Sequence, residues 1–394
     1  MSWKETYNAW KNYQALEPDL KDELAKLEGN DEALEDAFYA PMEFGTAGMR
    51  GVIGAGINRM NVYTVRQATE GLASLMDTLD EETKRRGVAI SYDSRHKSQE
   101  FAFESARVLG AHGIPSFVFE SLRPTPELSF TVRHLHAYAG IMITASHNPK
   151  QYNGYKIYGE DGAQMPPKES DLITKYIREV DDIFAVEAAD KDALINDGTL
   201  KVIGSEIDKE YLAEVKKVTV DPELVAEEGK TMKLIFTPLH GTGAMLGEKA
   251  LRQAGFEDFT MVPEQATPDA DFSTVEHPNP EFPEAFDLAI KLGKRDDADL
   301  LIAVDPDADR LGAAVRQPDG DYKLLTGNQI AAIMLNYILT ARKNAGTLPE
   351  NGALVKSIVS SEFAAKIAKD FGCDTINVLT GFKFIAEQIQ HFEE

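Results

Sequence analysis

An α/β fold of tandem, similar domains with mixed, mainly parallel sheets is what this sequence predicts, and three observations carry the prediction. Three segments of the 394-residue chain repeat one order: strand, polar loop, amphipathic helix, glycine stop, strand. Each of those helices is followed by a glycine where a left-handed C-cap is needed. Two further short apolar runs, 138–143 and 300–304, are bounded by turn residues and read as buried strands that open into polar loops. Strand–helix–strand units of this kind pair in parallel through right-handed crossovers.

Taken in order, residues 1–38 read as an acidic, amphipathic helical appendage. The turn Gly45-Thr-Ala-Gly48-Met-Arg50-Gly51 follows. Its glycines permit positive φ and close approach of backbone to a ligand, although taken alone the pattern reads first as a plain tight turn. The first domain is expected over 39–185: a strand at 88–92, the loop Asp93-Ser-Arg95, a helix through Ala111 stopped by Gly113, and a strand at 116–119. The second, 208–318, has a strand at 233–236, the loop 237–242, a helix to Gly255 and a strand at 259–262. The third, 319–394, has a strand at 353–358, the loop 359–361, a helix to Gly372, a strand at 375–379 and a helix over 382–392. In the first two domains a later strand delivers a loop rich in chemistry. The third stops at Glu394 before any such strand, so it is expected to be partial. The acidic stretch 181–207 is expected to be a loop-like linker. Gln317-Pro-Asp-Gly320 reads as the turn between the second and third domains, and 269–283 as a proline-rich loop within the second.

Composition narrows the partners. The formal net charge is −24, which argues against nucleic acid, since a phosphate backbone calls for stripes of Lys and Arg. Solubility accounts for most of that acidity. Arg and Lys nevertheless gather in the loops singled out here, which suits a small anionic substrate. One cysteine, Cys373, forbids an intrachain disulfide and fits a reducing cytoplasm. No signal-type segment opens the chain and no apolar run approaches a membrane span.

Two loops carry the chemistry. After the strand at 300–304 comes Asp305-Pro-Asp307-Ala-Asp309-Arg310. In an extended segment residues i, i+2 and i+4 share a side. Three carboxylates there repel one another unless a cation or protons neutralise them, and hard oxygen ligands suit Mg²⁺. An EF-hand is excluded, because its sixth and twelfth positions hold Arg310 and Arg316. An acidic surface turn is the plain alternative.

After the strand at 138–143 comes Thr144-Ala-Ser146-His147-Asn148-Pro149. Ser146 lacks the Gly-x-Ser-x-Gly flanks of a hydrolase nucleophile. His147 is its neighbour, and neighbours in an extended chain point apart, so His147 is not expected to serve as its base. A phosphate carried on Ser146 would add a charge of about −1.5 to −2 and complete the shell of a cation held by the aspartates. A loop serine that caps backbone remains the alternative. The two loops are read together as halves of one site. Lys156 is a candidate general acid/base where nearby cations lower its pKa, or a solvated strand lysine. Arg50 and Arg310 can clamp phosphoryl oxygens. Lys383 can do the same or lie at the surface. His240 and His277 read as loop histidines satisfied by backbone ahead of metal ligands.

The serine loop, the aspartate loop and Gly45-Thr-Ala-Gly-Met-Arg-Gly51 together resemble the signature loops of the α-D-phosphohexomutases, most closely the phosphoglucomutase/phosphomannomutase branch that includes phosphopentomutases. Pro238-Leu-His-Gly-Thr-Gly243, His277-Pro-Asn-Pro280 and Thr380-Gly-Phe-Lys-Phe384 are similar to further family segments. The resemblance runs from about Phe38 to the end of the chain.

It implies that Ser146 is the phosphoserine and holds Mg²⁺ together with Asp305, Asp307 and Asp309. It implies proton transfer and phosphate handling by Arg50 and Lys156, and substrate or phosphate binding by Arg310, His147 and Lys383. The family activity is reversible transfer of phosphate between C1 and C6 of a hexose phosphate, primed by glucose 1,6-bisphosphate as activator. Glucose, mannose and pentose phosphates are all open as substrates. Family members have four domains. The third ends in a Gly-Glu-x-Ser-Gly-like sugar loop and the fourth carries a phosphate clamp. Neither is found in these 394 residues, so domain IV is expected to be absent and turnover by this chain to be low. Two other classes stay open: a non-catalytic fragment that binds sugar phosphate or metal, and a phosphatase of the haloacid dehalogenase type. The latter places its aspartates on the first strand, where Asp305 does not fall.

Overall fold

The computed structural model describes residues 2–44 and 48–393, in two compact units, Met1–Gly204 and Ser205–Glu394. In the first, the described residues form a six-stranded sheet of β1 (Met49–Val52), β2 (Val88–Tyr92), β3 (Ser116–Phe119), β4 (Ala139–Ile143), β5 (Tyr152–Tyr158) and β6 (Leu200–Ile203). Its order is β1-β5-β4-β2-β3-β6. β4, β2, β3 and β6 run parallel, while β5 is antiparallel to both β4 and β1. Every position of β2 and β4 is buried, as continuous apolar runs in a parallel sheet should be. Side chains alternate between the faces. Ile90 and Ile141 join Leu72, Phe101 and Ile173 from helices 62–77, 98–111 and 167–178 on one side; Ala89 and Met142 join Leu128 and Val132 from helix 125–134 on the other.

The N-terminal segment is helical, as expected: Trp3–Asn12, Pro18–Leu27 and Asp31–Phe38. It has a core in common with the first unit. The Trp10 ring meets Tyr63 edge-on at 5.5 Å, and Tyr13 stacks on Phe184 at 4.0 Å. The Tyr63 hydroxyl donates to the Ala15 carbonyl at 3.2 Å. A fully buried tryptophan of this kind is worth roughly 3–5 kcal/mol on truncation.

The second unit contains a five-stranded sheet of β7 (Leu234–Thr237), β8 (Phe259–Met261), β9 (Leu300–Val304), β10 (Leu311–Arg316) and β11 (Tyr322–Leu325), in the order β11-β10-β9-β7-β8. β12 (Ala353–Ser357) and β13 (Asp374–Val378) pair in parallel. The internal repeat is visible in the strand order. β5-β4-β2-β3 in the first unit has the same layout as β10-β9-β7-β8 in the second, with the same parallel and antiparallel senses. Ser146 and Asp305 therefore leave equivalent strands and lie in equivalent hairpin loops.

One expected connection is corrected and another is resolved in detail. The stretch 181–207 is not a loop: it contains helix Lys191–Asp197 and β6, which pairs with β3. Leu200 and Ile203 bury against the first unit, and the acidic residues that suggested a linker lie on its outside. Gln317-Pro-Asp-Gly320 is a turn, as expected, with one more strand of the same sheet, β11, after it. It is the turn of the β10–β11 hairpin, closed by Gly320 donating to the Gln317 carbonyl at 2.9 Å. A turn sequence of this type marks a hairpin as readily as a boundary.

Candidate active site

Ser146 sits where β4 ends, almost fully buried, with φ +52. A residue with a Cβ loses about 1–2 kcal/mol in that left-handed conformation, so neighbouring contacts must hold it. Its N–H donates to Thr144 Oγ1 at 2.7 Å, and Thr144 Oγ1 donates to Asp93 Oδ2 at 2.6 Å. Asp93 and Arg95, in the loop after β2, have wholly buried side chains and pair at 3.2 Å. Arg95 spreads its guanidinium over the loop, donating to the carbonyls of Ser146, Asn148, Pro149 and Tyr152. Burial pushes the Asp93 carboxyl up, while Arg95, Thr144 and Ser98 pull it back.

The left-handed turn overturns one expectation. His147 does not point away from Ser146: its Nδ1 lies 3.1 Å from Ser146 Oγ. The argument from an extended chain fails because the chain is not extended at Ser146. Arg50, on β1, reaches the same loop by donating to Asn148 Oδ1 at 3.0 Å. Lys156, on β5, is 4% exposed and so is not the solvated strand lysine of the plain alternative. Its position depends on Gly48. At φ +89, a β-carbon there would lie 2.0 Å from the Tyr155 carbonyl oxygen and 3.0 Å from the Lys156 Cα. Gly45, Thr46 and Ala47, the start of that glycine-dense turn, lie outside the described residues.

In the second unit, Asp305, Asp307 and Asp309 bring one carboxylate oxygen each to within 4.8 Å of the others. Asp305 and Asp307 are buried and Asp309 is exposed. The segment is a turn and not an extended run: the Ala308 N–H donates to the Asp305 carbonyl at 2.9 Å with Ala308 at φ +52. The carboxylates converge by that turn instead of by strand alternation. Hard oxygen donors brought this close fit a divalent cation such as Mg²⁺. The Arg310 N–H donates to Asp305 Oδ1 at 3.0 Å, and its guanidinium reaches Glu281 at 3.4 Å near the surface.

The loop after β7 supports this turn as the loop after β2 supports Ser146. Thr242 donates twice to the Pro306 carbonyl, from its N–H at 2.8 Å and its hydroxyl at 3.0 Å. A β-carbon at Gly241 would meet the Pro306 Cα at 2.3 Å, so only glycine lets the loops approach. His240 uses both ring nitrogens within its own surroundings, on the Thr267 carbonyl at 3.1 Å and Thr274 Oγ1 at 2.8 Å. His277 pairs with Glu284 at 3.0 Å. Neither histidine belongs to the acidic cluster. Lys383 lies in the first turn of helix Phe382–Glu393, its ammonium 5.0 Å from the Phe384 ring centre.

Asp93, Arg95 and Thr242 had no role in the sequence reading. The signal was available in the repeat: each sits in the loop after the first strand of its repeat, one strand away from the loop it holds.

Tandem α/β/α units that present a buried serine and an acidic triad from equivalent hairpin loops define a narrow class. Three profiles of one family match the chain in sequence: phosphoglucomutase/phosphomannomutase alpha/beta/alpha domain I over 41–183, domain II over 209–320 and domain III over 326–393. The chain belongs to this α-D-phosphohexomutase family. It is 39% identical over 354 residues to a phosphoglucomutase of Staphylococcus saprophyticus, covering 90% of this chain, and 38% identical over 360 residues to one of Staphylococcus aureus, covering 91%. It spans 62% of the length of these relatives. Among solved structures, a Thermus thermophilus protein provisionally named a phosphomannomutase matches with a TM-score of 0.70 at 25% identity, covering 90% of this chain and 72% of that one. A phosphoglucomutase/phosphomannomutase family protein of Burkholderia thailandensis shares the fold, with a TM-score of 0.68 at 19% identity, covering 88% and 68%.

Proposed function

We propose that the chain works as a phosphohexomutase, moving phosphate reversibly between O1 and O6 of a hexose phosphate, with glucose 1-phosphate and glucose 6-phosphate as the pair. The observation that carries this is the Ser146 hydroxyl, held in a strained left-handed turn at the mouth of β4 beside His147. Similarity to proteins named phosphoglucomutase favours glucose over mannose or pentose.

In the first half-reaction the sugar O6 bonds to the phosphorus of phospho-Ser146 while the bond from phosphorus to Oγ breaks. The hydroxyl proton passes to Lys156, and His147 returns a proton to the departing Oγ from 3.1 Å. In the second, Ser146 Oγ gives its proton to His147 and takes the other phosphoryl group, and O1 leaves with a proton from Lys156. Arg50 and Arg310 bind phosphoryl oxygens, and Lys383 contacts substrate. Asp305, Asp307 and Asp309 would hold Mg²⁺, whose charge offsets that of the phosphoryl group in a loose transition state. Glucose 1,6-bisphosphate is both intermediate and activator. The net charge of −24 argues against nucleic acid, Arg50 and Arg310 suit a small anionic substrate, and the single buried Cys373 fits a cytoplasmic setting. Among the described residues, no helix is long and apolar enough to cross a membrane.

The test is labelling with glucose 1,6-bisphosphate carrying radioactive phosphate, followed by peptide mapping. Label should appear on Ser146 and vanish in Ser146→Ala with the circular dichroism spectrum unchanged. Full labelling of the Ala variant would remove Ser146 from the mechanism.

A further inference from the structure

We propose that Arg95, working through Asp93, is the residue that positions Ser146 for phosphoryl transfer. The inference rests on the reading of Ser146 as phosphate carrier and adds to it a residue that does not touch substrate. Both peptide groups of Ser146 belong to one closed circuit. The Ser146 N–H donates to Thr144 Oγ1, Thr144 donates to Asp93, Asp93 pairs with Arg95, and Arg95 donates to the Ser146 carbonyl. Each link of the circuit opposes departure of Ser146 from its left-handed conformation.

The guanidinium does more than close the circuit. Its Nη1 donates to the carbonyls of Pro149 at 2.9 Å and Tyr152 at 3.0 Å, and its Nη2 also donates to that of Asn148. One side chain therefore ties Ser146 to the middle of the hairpin loop and to its far end at Tyr152. The Arg95 side chain is 0% exposed, which excludes it from direct contact with a sugar phosphate. The planar fork serves four carbonyls at once in fixed directions, one more than the three donors of an ammonium allow with one N–H each. A lysine in its place keeps the charge beside Asp93 and loses the spread of donors. The repeat argues for the same division of labour. Thr242, in the equivalent loop of the second unit, grips the Pro306 carbonyl of the aspartate turn with two hydrogen bonds.

Small displacements of a nucleophile are costly, so loosening this loop should lower the rate of phosphoryl transfer. The experiment compares the full chain with Arg95→Lys in two readings. The first is amide hydrogen exchange of peptides covering 144–153, with peptides from β2 and β4 as internal controls. The second is the rate at which glucose 1,6-bisphosphate phosphorylates Ser146. The proposal expects loop exchange to rise and phosphorylation to slow, each by about tenfold or more, while the control peptides stay protected. Unchanged loop exchange, or faster exchange with an unchanged phosphorylation rate, overturns it. A wild-type chain that takes no label on Ser146 sinks the proposed function and the catalytic half of this inference together, while loop exchange still reports on the clamp itself. Should Arg95→Lys fail to fold, Thr144→Val cuts the same circuit at a hydroxyl and is read in the same two ways.

Discussion

Asp307 is the buried middle member of the acidic triad, between buried Asp305 and exposed Asp309. Asp307→Asn keeps the size and one acceptor oxygen and removes one negative charge from the cluster. Mg²⁺ affinity should fall by about tenfold or more, measured by calorimetric titration. Equal affinities in the two proteins would reduce the triad to an acidic turn. The sequence made this residue visible because closely spaced carboxylates repel one another unless a cation or protons neutralise them. It made Ser146 visible through its place after an apolar run. What it did not reveal was how either side chain is held. The φ of +52 at Ser146 is imposed by Arg95 and Thr144, which are 51 and 2 residues away along the chain. The adjacency of His147 to the serine hydroxyl follows from that φ. A local rule about extended chains could not anticipate it.

Helices 62–77 and 98–111 of the first unit are tied by an ion cluster that sets a second expectation. His112, at the C-cap of the latter, bonds Glu70 Oε2 at 3.0 Å and Asp77 Oδ2 at 2.6 Å, both on the former. Lys84 also pairs with Asp77, at 2.6 Å. Glu179, Asp181, Asp182 and Glu187 line the cavity beside the imidazole. The bond to Glu70 raises His112 to about 9, against the opposing effect of burial and with further help from Asp77. A raised folded value means that the contribution is complete below the unfolded value of about 6.5 and fades as pH climbs through 9. Its ceiling is about 3 kcal/mol, less some screening for a side chain that is partly exposed. The stability gap between wild type and His112→Gln, from urea unfolding, should therefore be widest near pH 6 and close above pH 9. A gap constant from pH 6 to 10 would mean that the cluster contributes packing alone. At this scale the strands and helices of all three repeats were legible from apolar runs and glycine stops. β6 and the β10–β11 hairpin were not. β6 shows only two buried positions in four, and its partner, β3, lies some eighty residues earlier.

In the whole molecule, function is divided between two compact units that ought to answer to different ligands. The serine circuit and the His112 cluster belong to Met1–Gly204, and the acidic triad belongs to Ser205–Glu394. A chain of this kind is not described by one two-state transition. A ligand that binds a folded unit stabilises it by RT ln(1 + [L]/Kd), about 2.7 kcal/mol at a hundredfold excess over Kd. All three carboxylates come from one turn between β9 and β10, so Mg²⁺ should raise the unfolding transition of the second unit. Raising the pH through 9 should lower that of the first, through His112. Scanning calorimetry, with the two transitions assigned by hydrogen exchange of peptides from β4 and β9, separates the effects. Chelation of the metal should shift the β9 transition downward and leave the β4 transition within error. If Mg²⁺ moved the β4 transition and spared β9, the cation would be held by ligands of the first unit, and the acidic triad would lose its claim to the metal.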